Sequence, residues 1–356
     1  MSDDITFYDE IEGYCGRQSY RPGEAATLHV STPAATFDVM VERWGAAREL
    51  VWSTTGVTGH DVPVPDGADA EGCDWPVSLT VPVGDDWRSG FYLVTLTAAG
   101  ATPGRAVAHA WFVVRPPNPP DPSAAPPPPR PPTPPHPRRN FEDSPPPRGS
   151  IDKISAGAAG AAGAAGAEAG AAAAGAGRGR RALLVLATNT WNAYNTWGGA
   201  SLYTGGRQVS FQRPMARGML DRPEVERDDR KARPIRWDEE PDPDGHLFQA
   251  YRMANGYPAG IGSSGWFTFE RRFAEWAERA GYELDYVVQA DVDADPSVLT
   301  GYPLVLSVGH DEYWSAGQRD ATEAYVRAGG NLASFSGNTM FWQVRLTPGP
   351  GTDRDT

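Results

Sequence analysis

Cysteine is nearly absent: Cys15 and Cys73 are the two in 356 residues. Two thiols cannot make the disulfide framework of a small secreted domain, and no Cys/His spacing suits a structural zinc. Histidine is sparse too, scattered over His29, His60, His109, His136, His246 and His310 with no H-E-x-x-H. Any metal held by this chain would therefore be held mainly by oxygen. Positive charge is also short, because 32 Lys and Arg face 45 Asp and Glu for a formal net charge of -13. That balance excludes nucleic acid as a partner, which needs clustered Lys and Arg to displace phosphate counterions. The N-terminus, Met1-Ser2-Asp3-Asp4-Ile5, lacks the basic and apolar regions of a secretory signal. A cytoplasmic location and two free thiols are the expectation.

Proline and glycine, by contrast, are abundant, 34 and 40 residues, and they are unevenly spread. Proline dominates from Pro116 to about Arg148, where a backbone with fixed φ and no amide donor favours an extended spacer. From Ile154 to Gly177 the chain is nearly all Ala and Gly, long enough to span a bilayer but too poor in apolar surface to do so. Both stretches read as linker, and no membrane segment is expected.

These tracts divide the chain into residues 1–115, a linker over 116–180, and residues 181–356. In the first part, short β-branched and aromatic runs (27–30, 37–41, 77–81, 92–96 and 110–114) alternate with Pro/Gly/Asp turns. Such spacing predicts an antiparallel β-sandwich of immunoglobulin-like architecture. The third part alternates strand and helix. Ala182 to Ala187 is apolar throughout, Phe269, Phe273, Trp276 and Ala280 share a helical face closed by Gly281, and Leu284–Val288 and Pro303–Val308 are further apolar strands. Ser315-x-x-Gln318 resembles a capping box, opening a helix that Gly329-Gly330 ends before a strand at 332–335. The whole is a multidomain α+β chain: a β-sandwich followed by a three-layer α/β domain with a mostly parallel sheet, resembling glutamine-amidotransferase-like folds. The long tether between them predicts loosely coupled domains.

In parallel sheets the chemistry gathers at the C-terminal strand ends. Three polar clusters fall there: Asn189 to Asn195, His310-Asp311-Glu312-Tyr313, and Ser336-Gly337-Asn338 after a strand read as buried. A tyrosine-bearing segment, Gly198 to Tyr203, can fold over the same edge. Rival motifs fail. Asp291-x-Asp293-x-Asp295 opens like a calcium loop, but Pro296 and Tyr302 stand where the required Gly and Glu belong. Gly262-Ser263-Ser264-Gly265 lacks the spacing of a nucleophile elbow, and no cysteine sits at the Ser336 turn.

Gly13-Tyr14, Ser19 to Glu24, Ala193-Tyr194-Asn195, Gly198-Gly199 with Ser201-Leu202-Tyr203, Arg213-Pro214, His310 with Glu312-Tyr313, and Gly337-Asn338 together resemble the large (beta) subunit family of N,N-dimethylformamidase. The resemblance implies an amidohydrolase acting on carbon-nitrogen bonds of small linear amides, with one iron, as Fe3+, held by Tyr194, Tyr203 and Glu312. It implies site roles for His310, in orienting or deprotonating water, and for Asn338, in stabilising an oxyanion. Phenolate and carboxylate are hard oxygen ligands that suit ferric iron. A small partner subunit or a homo-oligomer is implied as well.

The chain departs from the family in three places. Asp311 stands where a proline is common, as a further ligand or a supporting partner; residues 221–247 form a charged insertion; and the sequence stops at Thr356, sooner than the family's large subunit, so a truncated domain is expected. A non-catalytic two-domain binding protein and a hydrolase of another amide class are the alternatives. Tyr194 and Tyr203 as half-buried aromatics, and Glu312 as a helix-dipole partner, are the plain structural readings of those residues.

Overall fold

The computed structural model describes residues 10–101, 106–117, 181–223, 257–258 and 260–347. The Pro-rich and Ala/Gly-rich tracts from 118 onward, the charged stretch from 224 to 247, and residues 348–356 lie outside them.

The first part consists of β1 (Glu12–Cys15), β2 (Ser19–Tyr20), β3 (Ala25–Ser31), β4 (Thr36–Trp44), β5 (Arg48–Thr58), a single helical turn α1 (Ala68–Glu71), β6 (Leu79–Pro82), β7 (Gly90–Ala98) and β8 (Val107–Val114). Four of the five expected runs fall inside strands, while the run at 77–81 starts only at Leu79. β5 has no alternation to announce it, because every one of its side chains is at least partly exposed. Two sheets result. In one, β3 lies between β1 and β6, antiparallel to both; the other runs β2-β8-β7-β4-β5, antiparallel except for the parallel β2–β8 pair. Leu28 and Val30 of one and Val39, Val41, Val94 and Phe112 of the other share a core.

β7 is buried on both faces because each meets a different partner. Tyr92, Val94 and Leu96 point to the core just described, while Phe91 and Leu93 join a second core with Leu186, Trp191 and Trp266. There Phe91 stacks on Trp266 with ring centroids 4.1 Å apart, and Trp111 meets Trp191 edge-on at 5.1 Å. Polar ties cross the same junction: Arg43 pairs with Glu278 at 2.6 Å, and Arg115 with Asp291 at 2.9 Å. This continuous core overturns the expectation of loose coupling, since the tether's length says nothing about which faces its two ends bury. Cys15 and Cys73 are both buried and unpaired, and burial pushes each thiol up to about 12.

The second part holds a four-stranded sheet in the order β10 (Glu283–Val288), β9 (Arg181–Leu186), β11 (Leu304–His310), β13 (Asn331–Gly337), parallel throughout. Its helices are α2 (Thr188–Tyr194), α3 (Glu270–Arg279), α4 (Gln289–Ala294) and α5 (Ala316–Arg327); β12 (Tyr313–Ser315) and β14 (Trp342–Val344) form a small parallel pair. Gly281, at φ 82°, ends α3 with a Schellman motif, the Tyr282 amide donating to Ala277 O at 3.0 Å and the Gly281 amide to Glu278 O at 3.0 Å. Ser315 caps α5 by accepting from the Gln318 amide at 3.0 Å.

Two expectations of burial fail here. The covered face of α3 carries Glu270, Arg271, Ala274 and Ala277, while Trp276 is 57% exposed. Small side chains let the helix approach the core, with Phe273 half-buried at its margin and Trp276 packed on Phe273 at 5.6 Å. β13 is an edge strand, not a buried one: Phe335 is 63% exposed because no described strand lies beyond it. No described helix is long and apolar enough to cross a membrane.

Candidate functional site

Strand β9 delivers α2 to the C-terminal edge of the sheet, and this helix frames the site. Thr190 turns back to β11's end, where its Oγ1 accepts from the amides of Glu312 (3.0 Å) and Tyr313 (3.3 Å). Tyr194 closes α2. The chain then doubles back so that the Leu202 amide donates to Ala193 O at 3.1 Å, laying Tyr203 over Tyr194 with ring centroids 4.1 Å apart.

Two buried polar residues hold that loop. Asn195 donates through Nδ2 to Pro214 O at 2.9 Å, and its Oδ1 accepts from the amides of Trp197 (3.1 Å) and Ala216 (2.9 Å). Arg213, 2% exposed, donates to the carbonyls of Ser210, Trp197 and Asn195. Desolvation brings its guanidinium down to about 10. The first part contributes as well, for Asp69 accepts from the Ala200 amide at 2.8 Å.

From the other side, the end of β11 presents His310 and, two residues on, Glu312. Gly309, the next-to-last residue of the strand, adopts φ 90°, and a Cβ there would lie 2.5 Å from that of Phe269, so only glycine serves. His310 Nδ1 lies 2.7 Å from Ser263 O. A carbonyl only accepts, which puts the proton on Nδ1 and leaves Nε2 facing Glu312 Oε2 at 3.1 Å. The hydroxyls of Tyr194, at 3.4 Å, and of Tyr203 both donate to that same Oε2. Three of the sequence-derived residues thus converge on one oxygen of the fourth, Glu312, which is 4% exposed.

The donor set fits the expected ion, with two phenols and a carboxylate gathered where a hard trivalent cation would replace the phenol protons. Burial, followed by the neighbouring Glu312 charge, pushes the Tyr194 phenol up to about 12. Burial, then the Glu312 and Tyr194 hydrogen bonds, pushes Tyr203 further. Without a cation both stay protonated at neutral pH. Among the described residues no group of three or more His, Cys, Asp and Glu could hold a metal, so a site here depends on the tyrosines.

Asn338 follows Gly337, the register partner of His310, and takes a left-handed φ of 52° at an exposed position. Asp311 does not reach the phenols. Its Oδ1 accepts from Gln289 Nε2 at 2.8 Å and its Oδ2 from Ser307 Oγ at 2.6 Å, with burial raising the carboxyl to about 6. Gln289 also accepts the Asn189 amide at 2.8 Å, tying the ends of β9, β10 and β11 together. Gln289 was not singled out in the sequence, yet it stands directly after strand 284–288, where the strand-end rule points. Ser263 had no such signal, because its part is played by a backbone carbonyl.

Fold and site define an α/β protein with a phenol, carboxylate and imidazole cluster at the C-terminal edge of a parallel sheet. Residues 38–127 and 174–355 match the family described as N,N-dimethylformamidase beta subunit-like, C-terminal. The chain belongs to that family. It is 30% identical over 90 residues to the N,N-dimethylformamidase beta subunit of Alcaligenes sp, a stretch covering 25% of this chain and 12% of that protein.

Proposed function

We propose that this protein is an iron-dependent amidohydrolase that cleaves carbon-nitrogen bonds of small linear amides. The convergence of Tyr194, Tyr203 and His310 on Glu312 Oε2 carries this reading. Tyr194, Tyr203 and Glu312 would hold ferric iron, which when bound supplies Lewis-acid polarisation of the amide carbonyl and a more acidic water. His310, its Nδ1 proton engaged by Ser263 O, presents Nε2 beside Glu312, where it would take a proton from the attacking water and return it to the leaving amine. Asn338 donates a hydrogen bond to the developing oxyanion. Arg213 and Thr190 position the two halves of the cluster.

With this reading go an immunoglobulin-like sandwich over 1–115, a linker over 116–180, an amidotransferase-like α/β domain over 181–356, and a small partner subunit or a second copy of the chain. A purified sample should contain stoichiometric iron, absorb in the visible through phenolate-to-iron charge transfer, and release amine from small amides. Tyr203→Phe should be colourless, with activity reduced at least ~100-fold. Iron-free wild-type protein with full activity overturns the reading, and absence of both iron and turnover favours a binding protein instead.

A further inference from the structure

Beside the cluster lies an open cleft of about 400 Å³ whose wall includes Leu202, Arg207, Tyr313, Trp342 and Arg345. Its size falls in the range of small-molecule sites, about 300–1,000 Å³. Two other cavities, near His109 and near Tyr14, hold about 20 Å³ each, little more than one water.

The cleft adjoins the candidate centre through chain neighbours, although Tyr194, Tyr203, His310 and Glu312 do not themselves line it. Leu202 precedes Tyr203, Tyr313 follows Glu312, and the Tyr313 ring meets that of Tyr203 edge-on at 6.2 Å. The Trp342 amide donates to Glu312 O at 2.9 Å, so the cleft wall hangs on the backbone of the proposed ligand.

Its charge is unusual for this chain. The lining includes Arg207 and Arg345 and no acidic residue, in a protein of net charge -13. Five other arginines are neutralised: Arg43, Arg48, Arg88, Arg115 and Arg181 each sit within 3.0 Å of a carboxylate oxygen. Arg207 and Arg345 make no ion pair among the described residues. Both are exposed, and a guanidinium presents a planar fork of donors that matches a carboxylate.

We infer that the substrate is a small amide bearing a carboxylate, which Arg207 and Arg345 hold in this cleft while its amide reaches the Tyr194–Tyr203–Glu312 cluster. This inference rests on the amidohydrolase reading of the cluster but concerns a separate surface. The test is calorimetric titration of the full chain, at low salt, with N-formylglycine and with its uncharged isostere N-formylglycinamide. The acid should bind at least ~10-fold more tightly, a margin within reach of a charge-assisted hydrogen-bond pair. The margin should shrink with added salt and vanish in the Arg207→Gln/Arg345→Gln double variant, whose exposed positions leave melting unchanged. Equal affinity for the two probes, no binding of either, or a preference that survives the double variant overturns the inference. The two readings fail separately. An arginine-dependent preference for the acid in protein without iron or turnover supports the cleft and sinks the hydrolase; iron with turnover of both probes at equal efficiency does the reverse.

Discussion

Glu270 lies wholly buried beneath the site, one carboxyl oxygen accepting from Trp191 Nε1 at 2.9 Å and the other without a hydrogen-bond partner among the described residues. Desolvation, only partly opposed by the Trp191 bond, raises its carboxyl from 4.5 to about 8. The folded state therefore keeps a proton that the unfolded chain has released. Stability is full below the unfolded value and falls as pH rises from about 4.5 to about 8, by about 1.4 kcal/mol per pH unit within that window. Glu270→Gln should abolish this slope, so that urea titrations show no advantage at pH 4 and a growing one toward pH 8. Identical pH profiles for variant and wild type would refute the assignment. Tyr203 is the opposite case at this scale, 47% exposed and held by its neighbours, so Tyr203→Phe should alter the site and leave stability within about 0.5 kcal/mol.

At the scale of the element, the turn from β11 into the site allows little variation. Gly309→Ala must accommodate φ 90° and a Cβ 2.5 Å from that of Phe269. A loss of about 1–3 kcal/mol is expected in denaturant titration, together with a shifted His310 imidazole signal by NMR. The start and end of α5 were plain in the sequence, because Ser315 and Gly329-Gly330 act locally. The buried face of α3 was not. Phe273 and Trp276 mark an apolar stripe, but the pattern cannot say that Ala274 and Ala277 lie fully inward, Phe273 at the core's margin and Trp276 outward. The same holds for β13, whose apolar run is that of a central strand although it is outermost among the described residues.

For the molecule as a whole, the five-stranded sheet serves two cores. Cleaving the chain at a protease site introduced between residues 130 and 140 should therefore leave the two parts associated through gel filtration in native buffer. Separation would contradict the shared core. The Arg43–Glu278 pair, with side chains 4% and 10% exposed, is a deeply buried polar tie across the junction. Arg43→Ala strands the Glu278 carboxylate, which that arginine holds below its usual range, and should cost about 3–5 kcal/mol by thermal unfolding. Replacing both residues by well-packed apolar side chains should cost much less.

What the sequence determined by itself is local or periodic: the strand runs, the helix caps, the Pro and Ala/Gly tracts, and polar clusters at strand ends. Each depends on neighbours a few residues apart, so the order of residues records it. Resemblance to a family named Tyr194, Tyr203 and Glu312, but only the tertiary structure brings them to a single oxygen, since that requires β9 beside β11 and the 195–206 loop pinned by Arg213. It also decided that Asp311 turns away toward Gln289 and Ser307, that both faces of β7 are covered, and that Arg207 and Arg345 line one cleft. Such facts belong to pairs of residues far apart in the chain, and only the packing of sheets and loops sets their distances.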